Sequence, residues 1–328
     1  HFDENSGLGN LRFTPDDAVA LAHLFVVELD LLPPKNARLA LGGEPRSKRG
    51  KELLAALSAK GVKVIGARRT ELLDAIAEVS DLGVSEAGLV IMSFSSHGFE
   101  EKGKAYVMPA DGRRRFVEST GVSLQSVKET LRDSKAGKKL LFLDACRETL
   151  GSETRGEERM RGSFQQMLAA AQGFGVMASC SVGQLSWESP DLEQGVFTHF
   201  LLRGIRGEAV SSKGDGFIRL GEVSSYAAAA TREWVARNKR EVQEPWFEGE
   251  LAREIPLAFD QRVAQQREEQ RAAEAQLTQR RTHALDLLTE ARKANRDLLT
   301  GKLEDDVTAA VQTLRGQPLT ELLEQLED

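Results

Sequence analysis

The sequence predicts an α/β fold of three layers: a mostly parallel sheet with helices on both faces, followed by a C-terminal helical appendage. Two observations predict it. Across the first 255 residues, short β-branched or apolar runs alternate with amphipathic stretches, the pattern of strands joined by helical crossovers. From Pro256 onward the composition turns to Gln, Glu, Arg, Ala and Leu, which suits helices only. With 328 residues, 41% hydrophobic and 29% charged, the chain can bury a full core without disulfides or structural metals.

In chain order, apolar positions recurring at three and four residues predict a first helix over 16–29. A strand at 37–41, a helix at 50–59, a strand at 62–67 and a helix at 71–79 come next. Short β-branched or apolar runs predict strands at 89–94, 105–108, 139–144 and 174–179, with helices at 124–131, 164–171, 198–205 and 221–236 among them. Residues 148–163 break the rhythm; charged, glycine-containing and carrying Arg155, Arg159 and Arg161, they read as an exposed, protease-accessible loop. The appendage reads as a long helix from about 259 to 300, a break at Gly301 and shorter helices ending at Leu326. Its leucines, among them Leu277, Leu285, Leu288, Leu298 and Leu303, are spaced too irregularly for a heptad, so packed helices are expected rather than a coiled coil. The predicted domains are therefore 1–255 and 256–328.

Composition narrows the function classes. A net charge of −6, with only short basic runs at Arg46–Lys51 and Arg113–Arg115, argues against a nucleic-acid surface. Two cysteines, Cys146 and Cys180, suit a reducing cytosol rather than a disulfide framework. Five histidines, at 1, 23, 97, 199 and 283, lack the spacing of a zinc site. No apolar run reaches transmembrane length and no leader precedes the fold, so a cytoplasmic protein without membrane contact is expected.

Two segments carry chemistry. Residues 89–98 form an apolar strand ending in Ser95-Ser96-His97-Gly98, and residues 139–147 form another ending in Asp144-Ala145-Cys146-Arg147. Sites in parallel sheets are built at the carboxyl ends of strands, where a Cys and a His from two strands can converge. The Cys146 thiolate is then the nucleophile and the His97 imidazole its base, while the N–H groups of Cys146 and Gly98 serve as oxyanion donors. Cys180, His23, His199 and His283 read as structural.

These residues resemble the caspase-like cysteine peptidases, and within them the bacterial metacaspase and paracaspase branch. The resemblance spans about residues 8–250. It rests on Ser-x-His97-Gly98, Tyr106-Val-Met-Pro109-Ala-Asp111-Gly112, Asp144-Ala-Cys146-Arg147, Ala178-Ser-Cys-Ser181, Gly195-Val-Phe-Thr198 and Gln243-Glu-Pro245, which follow the family's order. It implies a caspase-like fold and a Cys146–His97 dyad. It further implies an acidic pocket of Asp144, Asp17 on the first helix and Ser95, which selects Arg, with Lys as the alternative, before the cut bond. Asp17 has a competing role as a helix cap, which Asp16 can also fill. Trp187, the large aromatic of the 181–194 loop, either stacks on substrate or packs inward.

The resemblance departs from pattern where Ser96 replaces the family's glycine and at the start, where an opening strand is expected ahead of His1. It implies protein substrates and restraint by an upstream activating protease or an inhibitory partner. A role in a bacterial stress, cell-death or antiviral response follows at pathway level. Self-cleavage is expected after Arg155, Arg159 or Arg161. No cofactor is expected; calcium is raised by the family alone, and the sequence offers no dense acidic cluster to support it. The rival readings are an inactive scaffold recruiting partners through its helical tail, and a CHAT-type or gingipain-like relative.

Overall fold

A computed structural model describes the chain apart from residues 1, 5, 84, 146–147, 150–173, 182, 260–271, 281 and 284–328. It divides into two compact units, His1–Ala264 and Gln265–Asp328. In the second unit the described residues 272–280 and 282–283 are helical and exposed. The predicted helix at 164–171 lies outside the described residues.

The first unit begins with helix α1 (Thr14–His23), which runs on into a wider helical turn at Leu24–Glu28. Strand β1 (Arg38–Leu41), helix α2 (Lys48–Ala59), strand β2 (Lys63–Gly66), helix α3 (Arg69–Asp81) and strand β3 (Leu89–Ser96) follow. Local chemistry sets the helix starts. Ser47 caps α2 by accepting from the Gly50 amide at 2.8 Å, and the Glu71 carboxylate reaches back 3.1 Å to the Arg68 amide at the head of α3.

Next come β4 (Gly98–Glu101), β5 (Lys104–Val107), the single turn α4 (Val117–Thr120), β6 (Val122–Ser123), α5 (Leu124–Asp133), β7 (Lys138–Ala145), β8 (Glu148–Thr149) and β9 (Phe174–Ala178). The unit ends with β10 (Glu188–Ser189), β11 (Gln194–Gly195), α6 (Val196–Arg203), β12 (Phe217–Arg219), α7 (Leu220–Lys239), β13 (Trp246–Glu248) and β14 (Pro256–Phe259).

The central sheet has the order β13-β9-β7-β3, in which β3, β7 and β9 are parallel and β13 is antiparallel. Alternation along β7 shows why its sequence is an unbroken apolar run. Leu140 and Phe142 enter the core shared with α1, α6 and α7, while Leu141 and Leu143 enter the core shared with α3 and α5. A strand buried on both faces has no polar side, and helices on both faces make the three layers that the alternating pattern predicts. A smaller sheet, β6-β5-β4-β8, leads off the end of β3.

Pro256–Phe259 is a strand, not the start of a helical tail. It pairs antiparallel with β12, and Leu257 is buried in the main core. The first compact unit thus runs on to Ala264, and the burial of one leucine in a three-residue ladder leaves no period for sequence reading to detect. Leu257→Ala is expected to destabilise the protein by about 2–5 kcal/mol, seen as a lowered thermal unfolding midpoint. The other strands missed by sequence reading (β4, β6, β8, β10–β13) are only two to four residues long.

Strand β1 pairs with β2, in parallel, and not with β3. Helices α1 and α3 each touch both β1 and β3, so the two strands share the same layers, and between their facing edges lies a largely apolar cavity of about 530 Å³. Leu21 and Phe25 line it from α1, Leu72 and Ile76 from α3, and Ile91 from β3. No described residue forms a strand between β1 and β3. Among the described residues no helix is long and apolar enough to cross a membrane.

Candidate active site

The register of β3 on β7 builds the site. It runs from Leu89 opposite Lys138 to Ser95 opposite Asp144 and Ser96 opposite Ala145. His97 and Cys146 are the next residues in sequence after the last paired position. Cys146 lies outside the described residues, as do Arg155, Arg159 and Arg161.

His97 is held by groups that the sequence reading did not single out. Its Nε2 lies 2.6 Å from the Gly9 carbonyl oxygen, and its ring sits 5.1 Å from the Phe2 ring and 6.3 Å from that of Phe99. A carbonyl only accepts, so this contact places the proton on Nε2 and leaves Nδ1 as the lone-pair nitrogen, the form a base for a thiol requires. The imidazole is therefore oriented by a backbone carbonyl from the segment before α1. Such a role is invisible in sequence because every residue has a carbonyl.

Ser96 is accommodated by its own hydroxyl. It donates to the Met108 carbonyl at 2.6 Å, while the Met108 amide donates to the His97 carbonyl at 2.9 Å. The serine thus ties the end of β3 to the segment after β5. Gly98 is buried at the start of β4, opposite Val107.

The three expected pocket residues come together. Ser95 Oγ donates to Asp17 Oδ2 at 3.1 Å, and the Gly195 amide donates to Asp17 at 3.0 and 3.2 Å. Asp144 accepts from Ser186 Oγ at 2.5 Å and from Thr198 through its hydroxyl at 2.6 Å and its amide at 3.3 Å. Gly195 and Thr198 flank the first turn of α6, whose amides and positive dipole end face both carboxylates. Asp17 and Asp144 are 1% and 8% exposed, and a side chain that binds them has to displace what covers them.

Burial, and next to it the charge of Asp144, holds the Asp17 carboxyl well above the usual carboxylate range. Burial raises Asp144 as well, against the opposing hydrogen bonds of Ser186 and Thr198. Two desolvated acids that repel one another, with no cationic side chain bonded to either among the described residues, are arranged to favour a cationic group between them.

Neither acid of α1 caps that helix. Asp16 instead accepts from the Arg46 and Ser47 amides at 2.9 and 3.0 Å and so fixes the entry to α2. The amides of Arg12 and Phe13 are bound by Glu188, each at 2.8 Å, from across the molecule. Asp17 is thereby left to its bonds with Ser95 and Gly195, and Glu188 adds a third negative charge that raises it.

Gln243 supports the far wall. Fully buried, it donates to the Ser179 carbonyl at 2.9 Å and to Ser186 Oγ at 3.2 Å, and accepts from the Trp187 amide at 3.1 Å. Trp187 packs against the main core, with Lys239 Nζ 5.4 Å from its ring centre. Cys180 is buried with its sulfur 3.3 Å from the Ala145 carbonyl, and burial lowers the half-buried His199, in keeping with packing roles. Among the described residues, no three His, Cys, Asp or Glu side chains are grouped to hold a metal ion.

A caspase-domain family model matches residues 5–256, and the chain belongs to that family, one of cysteine peptidases. Among solved structures it is similar to protein GSU0716 from Geobacter sulfurreducens, at 17% identity over 68% of this chain and 99% of that one, with a TM-score of 0.39. It is likewise similar to caspase-1 from Spodoptera frugiperda, at 16% identity over 80% of this chain and 87% of that one, with a TM-score of 0.46. No curated protein matches the sequence at comparable stringency.

Proposed function

We propose that the protein is a cysteine endopeptidase that cleaves polypeptides after Arg, with Lys the lesser alternative, through Cys146 and His97. The observation that carries the specificity is the pairing of Asp17 and Asp144 at the mouth of the same strand register that leads to the dyad. In the proposed reaction His97 Nδ1 takes the Cys146 proton, and the thiolate attacks the carbonyl carbon of the Arg before the cut bond. The amides of Gly98 and Cys146 receive the oxyanion, and the imidazolium returns the proton to the departing amine. Water then releases the acyl group from sulfur. The guanidinium is held by charge-assisted bonds from Asp17 and Asp144, with Ser95 and Thr198 fixing the carboxylates.

The same specificity applied to the chain itself makes Arg155, Arg159 and Arg161 self-cleavage sites. Intact mass of wild type beside Cys146→Ala tests this: fragments ending at those arginines are expected in wild type alone. A restrained protease of this specificity fits a regulated stress, cell-death or antiviral response, and residues beyond 264 fit an interaction module. A peptide panel varying only the residue before the cut bond tests the central reading; preferential cleavage after Asp would reject it.

A pH dependence follows from the raised carboxyls. They must be ionised to hold a cation, so kcat/KM on Arg peptides should rise with pH through a range above the usual carboxylate titration. The sign for stability is opposite. An acid whose folded pKa exceeds its unfolded value binds more protons when folded, so its contribution falls as pH rises from the ordinary carboxylate range through the raised one. Asp17→Asn should flatten that part of the stability profile, as read by thermal unfolding across pH.

A further inference from the structure

We infer that Gly195 is a specificity-determining residue, the floor of the cation site, and that it sets the preference for a guanidinium over a smaller ammonium; this rests on the acidic-pocket reading above. A Cβ built on Gly195 would lie 2.7 Å from Asp144 Oδ2 and 2.9 Å from Asp17 Oδ2, closer than Cβ atoms approach any heavy atom. The next nearest atom, at 3.5 Å, is Asp144 Cγ. One oxygen from each carboxylate therefore converges on the face of this α-carbon, and the two acids are what a side chain there would meet first.

The backbone does not need glycine at this position. Its φ of −61° and ψ of 136° are open to every residue, and as the residue that caps α6 a Ser, Asp or Asn would serve at least as well. What glycine supplies is the close approach of both carboxylates to one α-carbon. A planar guanidinium lying over the bare α-carbon can offer separate N–H groups to the two oxygens at once, whereas an ammonium is compact enough to reach them from a greater height. The Gly195 amide, bonded to Asp17, keeps that carboxylate turned toward the same point.

The test uses the full chain and matched fluorogenic peptides ending in Arg, Lys or Nω,Nω-dimethylarginine. Gly195→Ala is expected to lower kcat/KM for the Arg peptide by about 10²-fold, chiefly through KM, and to lower the Lys peptide at least tenfold less. Equal losses on Arg and Lys, or no loss on Arg, would overturn the inference. Should the alanine variant not fold, wild type decides: dimethylarginine, which adds carbon where the floor leaves none, should be cut about tenfold or more slower than Arg, and equal rates would overturn the inference. Asp144→Asn run in parallel separates the two claims. If it keeps full Arg activity, the acidic pocket itself is wrong; if it loses activity while Gly195→Ala does not, the pocket stands and only the role of Gly195 falls.

Discussion

Replacing His97 with alanine is expected to reduce peptide hydrolysis by roughly 10⁴-fold or more, and replacing Cys146 to reduce it as far, because base and nucleophile act as one unit and either loss disables both. The double variant should be little worse than either single one. His97 is partly exposed beyond the end of β3, and its ring is held by the Gly9 carbonyl and flanked by Phe2 and Phe99 at the edge of a small core cluster. Its loss should consequently leave the unfolding midpoint close to that of wild type. Hydrolysis within tenfold of wild type in either variant, with fold intact, would remove the dyad from the mechanism. Alkylation of Cys146 by a small reagent gives an independent readout, since removing the base should slow it near neutral pH.

The second large effect concerns the pocket. Asp17→Asn and Asp144→Asn should each lower kcat/KM on Arg peptides by roughly 10²- to 10³-fold, the loss expected when one partner of a desolvated charge pair is removed. Stability should move the other way or hardly at all. Asparagine keeps an oxygen to accept from Ser186, Thr198 or Gly195, and it removes a charge that burial already disfavours. Activity lost together with the fold would instead mark the acids as structural. Their fit of hydrogen bonds makes this comparison decisive, because a purely structural carboxylate at either place would show in the unfolding midpoint first.

The layered sheet was legible in the sequence because β7 and β9 are buried on both faces and β3 sends side chains into both cores, which leaves apolar runs. The same clarity singled out the candidate site residues, since Ser95, His97 and Asp144 sit where those runs stop. What sequence reading missed was either too short to have a period, as with β10, β11 and β14, or carried by groups without a side-chain signature. The Gly9 carbonyl on His97 and the Gly195 amide on Asp17 belong to the backbone, and contacts across 88 and 178 residues of chain leave no local trace. Glu188, which serves the amides ahead of α1, and Gln243, which supports Ser186, are polar residues whose partners become visible only once the loop at 181–194 is folded against them. Gly195 could have been suspected from sequence as a helix cap, but its proximity to two acids could not.

One measurement tests the central claim most directly: kcat/KM for matched peptides that differ only in Arg or Asp before the cut bond, with wild type and Cys146→Ala measured side by side. An Arg-directed cysteine peptidase should cut the Arg peptide at least about 10²-fold faster than the Asp peptide, and the Cys146→Ala protein should cut neither. Faster cleavage after Asp, or Arg cleavage that survives loss of the thiol, would contradict it.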